Sequence, residues 1–202
     1  MDSERTERRL AAILSADAVG YSRLMADDEV ATLQTLKTHR DAMIARIRQH
    51  AGRVVDAVGD NLLAEFPSIV DAVACAVEVQ QELETRNAEL PHDRRMLFRI
   101  GLNLGDVIVE GDRIVGDGVN VAARLEALAE HGGICISGTA FDHVESKLGI
   151  KLGESTEDGK IFLKQEEECI AACCGAPAMM VNHKYHENLT TEMLDEILDG
   201  LD

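Results

Sequence analysis

Over the first 150 positions of this chain, short apolar runs alternate with longer stretches in which apolar residues recur every three or four positions. The short runs predict strands, and the recurring positions predict amphipathic helices. The predicted strands are 10–16, 97–104, 107–110 and 134–137, with a hairpin over 54–66, and the predicted helices are 28–49, 68–87, 119–130 and 139–148. Their order begins with the split β-α-β-β-α-β arrangement of ferredoxin-like α+β folds.

The hairpin turn contains the first candidate for chemistry, in the stretch VVDAVGDNLLAEF. Gly59 and Asp60 are common turn residues, but an aspartate at a hairpin tip is also a good metal ligand. Asp17 ends the first predicted strand, which can neighbour the hairpin in a ferredoxin-like sheet. Two carboxylates meeting at one sheet edge would suit Mg²⁺ or Mn²⁺. On spacing alone, turn and capping roles for both residues are the alternative.

A second candidate follows GDG, at the start of the helix predicted over 119–130. Asn120 and Arg124 are four residues apart, so they share one face of that helix. An arginine offers a fixed charge and a donor fork that matches phosphate, and an asparagine can orient a hydroxyl or ring oxygen. The alternative is a solvated polar first turn without a ligand.

The 202 residues have a formal net charge of −17 at pH 7. Such an acidic surface repels nucleic acid backbones and anionic membranes, so neither is expected as a partner. No apolar run reaches the length of a membrane span, and the N-terminal residues lack the pattern of a signal peptide. A cytoplasmic location is therefore predicted, in which disulfides are not the default.

The composition changes near residue 150. Residues 154–202 contain twelve acidic residues, three lysines and no arginine, together with three of the five cysteines. A domain boundary is therefore predicted there, with one domain over 1–150 and a second segment over 151–202.

Four stretches of the first domain match one family in order and spacing: ILSADAVGYSRLM, GRVVDAVGDNLLAEFPS, FRIGLNLGDVIVEG and GDGVNVAARLEALAEHGGICISG. Residues 8–150 resemble the catalytic domain of class III adenylyl/guanylyl cyclases of the bacterial type. The resemblance implies a ferredoxin-like core that forms a homodimer with active sites at its interface. It also implies conversion of ATP or GTP to the 3′,5′-cyclic nucleotide and pyrophosphate, with two Mg²⁺ or Mn²⁺ ions per site.

Carried over by position, the resemblance assigns roles to five residues. Asp17 and Asp60, with the backbone carbonyl of Ala18, would hold the two metal ions. Asn120 would orient the ribose, and Arg124 would stabilise charge on the α-phosphate in the transition state. These last two would act across the dimer, on the site that contains the other copy's aspartates.

The match departs from the family at the positions that select the purine. Asp56 stands where well-studied members have a lysine, and Arg113 stands where they have an acidic or hydroxyl partner. The two could pair with each other, or Asp56 could accept a hydrogen bond from the adenine amino group. The family's final hairpin, which usually carries a triphosphate-binding lysine, is missing from the match, and neither of the nearby residues Lys160 and Lys164 aligns securely with that lysine. A catalytically degenerate module that binds nucleotide or only dimerises is therefore the alternative function.

The tail resembles a different family through the motifs LGI-x-x-GE-x-T, EC-x-x-x-C, GAP and YHENLT. It is similar to the second half of the 24 kDa-type subunit of NADH:quinone oxidoreductase, whose thioredoxin-like domain holds a [2Fe–2S] cluster. The resemblance implies that Cys169 and Cys173 are ligands in a partial thioredoxin-like tail, with strands 164–167 and 178–181 and a helix 191–201.

A [2Fe–2S] cluster takes four thiolates. The residues at hand beyond that pair are Cys135 and Cys174, so reduced, unligated cysteines are expected rather than a complete cluster. An iron–sulfur electron-transfer fragment is the third functional hypothesis. Cys75, in a predicted helix, is expected to be a core residue.

Overall fold

The computed structural model describes residues 7–159, 161–163, 179–181, 184–186 and 193. The chain divides into two compact units, Met1–Phe162 and Leu163–Asp202. The first unit has an α+β fold built on a six-stranded sheet. The domain boundary that the composition indicates near residue 150 stays a prediction.

The sheet of the first unit has the order β2-β3-β1-β4-β5, and a sixth strand, β6, pairs with β4. The β4–β6 pairing is parallel and the others are antiparallel. The order β2-β3-β1-β4 is that of a ferredoxin-like sheet, so the predicted fold class is confirmed. The strands are β1 (Glu7–Ala18), β2 (Arg53–Asp56), β3 (Leu62–Phe66), β4 (Phe98–Glu110), β5 (Arg113–Val115) and β6 (Ile134–Ile136).

The described residues of the first unit also form five α-helices and a 3₁₀-helix (His92–Arg94); the α-helices are α1 (Tyr21–Asp27), α2 (Glu29–Gln49), α3 (Ile69–Ala88), α4 (Asp117–Leu128) and α5 (Gly138–Leu148). Three begin at side chains that accept a backbone N–H of the first turn: Asp28 for α2, Ser68 for α3 and Ser137 for α5. Such caps satisfy donors that have no partner within the helix. The four helices predicted from apolar spacing are confirmed, with ends shifted by up to two residues.

The prediction of separate strands over 97–104 and 107–110 is wrong, because β4 runs unbroken through Gly105 and Asp106. These two residue types favour turns, but here they pair in register with Ala11 and Leu10 of β1. The long ladder to β1 therefore overrides the local preference. The short elements α1 and β5 were not predicted, because three to seven residues carry too little periodic signal.

The sheet has two unlike faces. On the apolar face, Phe98 stacks against His39 of α2, with ring centroids 6.3 Å apart. Side chains of β1 alternate between the faces, so Ala12, Leu14 and Ala16 share this side. On the α4 face, Ile13 and Ala122 belong to a second cluster of buried residues under α4.

In the second unit, β7 (Met179–Val181) and β8 (Lys184–His186) form an antiparallel pair. The strand predicted over 178–181 is confirmed at the three positions described, and β8 was not predicted. The predicted strand 164–167 lies outside the described residues, as does the predicted helix 191–201 except Met193, which is helical. Cys169, Cys173 and Cys174 also lie outside them.

Candidate functional site

The structure brings the carboxyl groups of Asp17 and Asp60 together on the α4 face. Asp17 is the penultimate residue of β1, and Asp60 lies in the turn between β2 and β3. The two strands adjoin at this end, where Ala16 pairs with Leu62. The carboxyl groups lie within hydrogen-bonding reach of each other. The proximity expected from the strand order is therefore observed.

The turn is built to present Asp60. Gly59 has a φ of 62°, in the left-handed region that a glycine adopts without steric cost. Its carbonyl oxygen accepts a hydrogen bond from the guanidinium of Arg40 on α2. The turn is thus fixed to a helix on one side and to the sheet on the other.

Burial raises the pKa of Asp60, and the neighbouring carboxyl group of Asp17 raises it further. Two carboxylates in contact repel when both are ionised, and a cation between them removes that cost. Hard divalent cations such as Mg²⁺ and Mn²⁺ bind carboxylate oxygens, so the donor chemistry of the pair fits such an ion.

Arg99 forms an ion pair with Asp17 and was missed by the sequence reasoning. It lies opposite Asp17 in the β1–β4 ladder. Its Nη2 atom is 3.0 Å from Asp17 Oδ2. Its Nη1 atom donates to the carbonyl oxygen of Ala127 on α4 at 3.4 Å, and its Nε atom is buried without a hydrogen-bond partner among the described residues. Arg99 therefore connects a candidate metal ligand with α4.

Glu126 of α4 is the third carboxyl group at this place and was also missed. It is only 6% exposed. Its Oε2 atom accepts hydrogen bonds from Ser15 Oγ at 2.8 Å and Asn61 Nδ2 at 3.5 Å, and its Oε1 atom is 3.9 Å from Arg99 Nη2. Burial raises the pKa of Glu126, and the charges of Asp17 and Asp60 act in the same direction.

Glycine in β4 explains how a helix brings a glutamate so close to the sheet. A Cβ atom on Gly101 would lie 2.2 Å from both the carbonyl oxygen of Ala122 and the backbone nitrogen of Glu126. The backbone of α4 therefore rests on the backbone of β4, without a layer of side chains between them. At the start of α4, Gly118 makes a similar approach to the carbonyl oxygen of Asp106.

A weak signal for Glu126 exists in the sequence. Val119, Ala122 and Ala129 recur at helical spacing, and Glu126 falls on the same face of the predicted helix. A charged residue on that face is unusual and indicates a partner. The partner itself, Arg99 in a strand 27 positions earlier, could not be named from sequence.

Asn120 and Arg124 lie on the exposed side of α4. In the described part of the chain, neither side chain has a hydrogen bond or an ion pair, with Asp17, with Asp60 or with any other residue. The structure of a single chain therefore does not bring the four residues together.

Asp56 and Arg113 are both exposed, at the end of β2 and the start of β5. No ion pair joins them within the described residues, so the pairing considered from sequence is not observed. The Asp56 carboxylate instead accepts the backbone N–H of Ala57 at 2.8 Å. Ala18 is the last residue of β1, and its side chain is buried.

Two of the five cysteines lie in the first unit. Cys75 is fully buried in α3, and burial raises the pKa of its thiol to about 12, which fits a core residue. Cys135 lies in β6 and is partly buried.

Two other features are absent from the described residues. They contain no group of three or more His, Cys, Asp or Glu side chains placed to hold a metal ion. None of the helices described there has both the length and the apolar character needed to cross a membrane.

Comparison with known proteins finds relatives for both of the resemblances noted in the sequence. "Putative adenylate cyclase 3" of Rhizobium meliloti (strain 1021) is 47% identical over 156 residues, which cover 77% of this chain and 27% of that protein. The crystal structure of an adenylate/guanylate cyclase/hydrolase from Silicibacter pomeroyi has 39% identity and a TM-score of 0.67, over 76% of this chain and 92% of that one.

The C-terminal part matches the family model of the thioredoxin-like [2Fe-2S] ferredoxins over residues 133–202. A subunit of the NADH-quinone oxidoreductase of Rickettsia felis (strain ATCC VR-1525 / URRWXCal2) is 49% identical over 55 residues, or 27% of this chain and 32% of that protein. The chain thus spans less than a third of the length of either curated relative named here.

Proposed function

Because this chain belongs to the adenylate/guanylate cyclase family, we propose that it converts ATP, in preference to GTP, to the 3′,5′-cyclic nucleotide and pyrophosphate. The observation that carries the proposal is the contact between the carboxyl groups of Asp17 and Asp60 on the α4 face. A pair of carboxylates with divalent cations is suited to phosphoryl chemistry on a nucleotide.

Asp17 and Asp60 would hold two Mg²⁺ or Mn²⁺ ions together with the backbone carbonyl of Ala18. When bound, the ions favour deprotonation of the ribose 3′-hydroxyl and neutralise charge on the triphosphate. The chain's own part is to hold both aspartates on a fixed turn and a strand end, so that little reorganisation accompanies the reaction. Attack of O3′ on the α-phosphorus forms the cyclic ester, and the bond to pyrophosphate breaks.

The exposed side of α4 supplies the remaining groups if two copies associate. Asn120 and Arg124 of one copy would face the Asp17–Asp60 pair of the other, which agrees with their lack of partners within the described part of one chain. Arg124 would stabilise charge on the α-phosphate and Asn120 would orient the ribose. The site is complete only in a dimer.

Asp56 would accept a hydrogen bond from the amino group of adenine, which favours ATP. Its carboxylate is exposed near the turn that contains Asp60, and Arg113 does not neutralise it within the described residues. Guanine, which offers a different edge, is the competing base.

The test is an endpoint assay of the purified full chain with Mn²⁺ and either ATP or GTP, with products identified by mass spectrometry. Cyclic AMP from the parent but not from Asp60→Ala is expected. Asp41→Ala, an exposed aspartate of α2, is the matched control and should keep full activity. Equal product from Asp60→Ala would contradict the metal assignment. A folded dimer that binds ATP without product would identify a catalytically degenerate module.

Complementation tests the dimeric site. Asp60→Ala and Arg124→Ala should each be inactive, and an equal mixture should recover about a quarter of the parent activity, because half of the random dimers then contain one intact site of two. An inactive mixture, with formation of mixed dimers demonstrated, would contradict catalysis across the dimer.

A second function, iron–sulfur binding, is favoured by the family match over residues 133–202 and by the similarity to the NADH-quinone oxidoreductase subunit. We infer from it that Cys169 and Cys173 would be two thiolate ligands. Anaerobic purification followed by iron and sulfide analysis tests this, with Cys169→Ser as the comparison. A colourless, iron-free chain would rule the cluster out and leave reduced cysteines.

A further inference from the structure

We propose that Glu126 is a positioning residue that takes over the Arg99 guanidinium when a divalent cation occupies Asp17. This inference rests on the proposed function and extends it, because it links the metal site to the helix that carries Asn120 and Arg124. Glu126 itself would touch neither the nucleotide nor the cation.

Arg99 would compete with a metal ion for Asp17. Its Nη2 atom lies 3.0 Å from Asp17 Oδ2, so a cation that binds the same oxygen meets the guanidinium at close range. Two positive charges on one carboxylate repel strongly in a partly buried site. Binding of a divalent cation to Asp17 and Asp60 therefore requires the Arg99 guanidinium to move away from Asp17 Oδ2.

Glu126 is the acceptor toward which Arg99 can turn. The same Nη2 atom lies 3.9 Å from Glu126 Oε1, so a small movement converts one ion pair into the other. Within the described part of the chain, Asp17 and Glu126 are the two acidic groups that form ion pairs with Arg99. A guanidinium and a carboxylate at hydrogen-bonding distance form a strong, charge-assisted pair.

Two contacts prepare Glu126 for this role. Its Oε2 atom accepts from Ser15 Oγ at 2.8 Å and from Asn61 Nδ2, which fixes the carboxylate and leaves Oε1 on the side of Arg99. Arg99 already donates through Nη1 to the carbonyl oxygen of Ala127, the next residue of α4. If the Nη2 contact moved from Asp17 to Glu126, Arg99 would no longer bridge β1 and α4. Both of its contacts would then be with α4.

The consequence is a link between the two sites of a dimer. Glu126, on the inward side of α4, would gain its contact with Arg99 when a cation binds the aspartates of the same chain. Asn120 and Arg124, on the outward side of α4, would contribute to the site of the other copy. Cation binding in one site would therefore strengthen the contact between Arg99 and α4, and α4 is the helix that contributes Asn120 and Arg124 to the other site.

The test measures Mn²⁺ affinity of the nucleotide-free full chain by electron paramagnetic resonance of the free ion. Five proteins are compared: the parent, Asp60→Ala, Arg99→Gln, Glu126→Gln and the double variant Arg99→Gln/Glu126→Gln. Arg99→Gln should bind Mn²⁺ about tenfold more tightly, since the competing charge is gone. Glu126→Gln should bind about tenfold more weakly, because Arg99 loses its second acceptor.

The double variant decides between positioning and a merely structural role. If Glu126 acts through Arg99, the Glu126→Gln substitution lowers Mn²⁺ affinity by less than about threefold in the Arg99→Gln background. An equal loss in both backgrounds would overturn the inference while leaving the proposed function standing. Unchanged Mn²⁺ binding in Asp60→Ala would overturn both.

Two further variants complete the test, one as a charge control and one as a substitute for Glu126→Gln. Asp117→Asn removes one negative charge from the exposed first turn of the same helix and should leave Mn²⁺ affinity within about twofold of the parent. If Glu126→Gln fails to fold, Glu126→Met replaces it, because an apolar residue of similar volume is often tolerated in place of a buried charge. The same outcomes apply to it.

Discussion

Neighbouring residues of β1 belong to two different environments. Ala12, Leu14 and Ala16 point to the apolar face under α2 and α3, whereas Ile13, Ser15 and Asp17 point to the α4 face. Toward the end of the strand, the apolar face stays hydrophobic, and the α4 face changes from an isoleucine to a serine and then an aspartate. One strand therefore supports the core with one side and a candidate catalytic site with the other.

The difference shows where each face obtains its stability. The apolar face gains from burial of large side chains, among which Phe66, Phe98 and Leu102 are almost fully buried. The α4 face also has a hydrophobic cluster, around Ile13 and Ala122, but at the end of β1 it contains a charged network that includes Arg99 and Glu126 and is held by ion pairs and hydrogen bonds. Substitutions on the two faces should separate activity from stability, as four predictions specify.

The largest effect is expected from the α4 face. Asp17→Asn should lower cyclic nucleotide formation at least about a thousandfold, because an amide is a poor ligand for a divalent cation. Unfolding in urea should change little, because the ion pair with Arg99 and the repulsion from Asp60 are weakened together. Steady-state assays with Mn²⁺ and ATP, read beside Asp41→Asn, measure the loss. Activity within about tenfold of the parent would remove Asp17 from the site.

The apolar face should show the opposite behaviour. Leu62 lies two residues beyond Asp60 and is 1% exposed on that face. Leu62→Ala should reduce the free energy of unfolding by about 2–5 kcal/mol, because it leaves a cavity. Activity per folded molecule should remain within a few-fold of the parent. Urea denaturation followed by circular dichroism tests this, and an inactive but stable variant would contradict the division between the faces.

The contact between helix and strand predicts a smaller loss. Gly101→Ala places a methyl group where the backbone of α4 lies, so the helix must shift at a cost of about 1–3 kcal/mol. Gly138→Ala, at a site with open space around it, is the matched control and should be neutral or slightly stabilising. Thermal unfolding of both variants gives the comparison. Equal melting temperatures would show that the close approach is not needed.

The smallest effect concerns pH. The pKa of Asp60 is raised in the folded chain, so the folded state binds this proton more tightly than the unfolded state and loses stability as pH rises from about 4 through the raised value. Without metal, Asp60→Asn should therefore be slightly more stable than the parent at about pH 8 and equal to it below about pH 4.

Thermal unfolding with a chelator, from about pH 4 to about pH 8, measures the crossover, and Mn²⁺ should then stabilise the parent but not Asp60→Asn. A stability gain that is the same at every pH would point to a cause other than the charge of Asp60.

The sequence reasoning succeeded where one local signal was sufficient. Apolar spacing located α2, α3, α4 and α5, and the turn Gly59-Asp60 located the hairpin. The meeting of Asp17 and Asp60 followed from strand order, because adjacent strands bring their ends to one edge.

It failed where distant residues decide the outcome. Gly105 and Asp106 favour a turn locally, yet the ladder to β1 keeps them in a strand. Arg99 and Glu126 meet only because Gly101 admits the backbone of α4, a contact that no spacing rule contains. The assignment of Asn120 and Arg124 rests on family resemblance and awaits the complementation test.

The seating of α4 on Gly101 also has a mechanical meaning. Most helices rest on a sheet through interlocking side chains, whose rotamers can absorb small displacements. Here the two main chains touch directly, so side-chain rotamers at Gly101 cannot absorb a displacement of α4. Because β4 is a continuous strand of 13 residues, a displacement of α4 would be transmitted along the length of that strand.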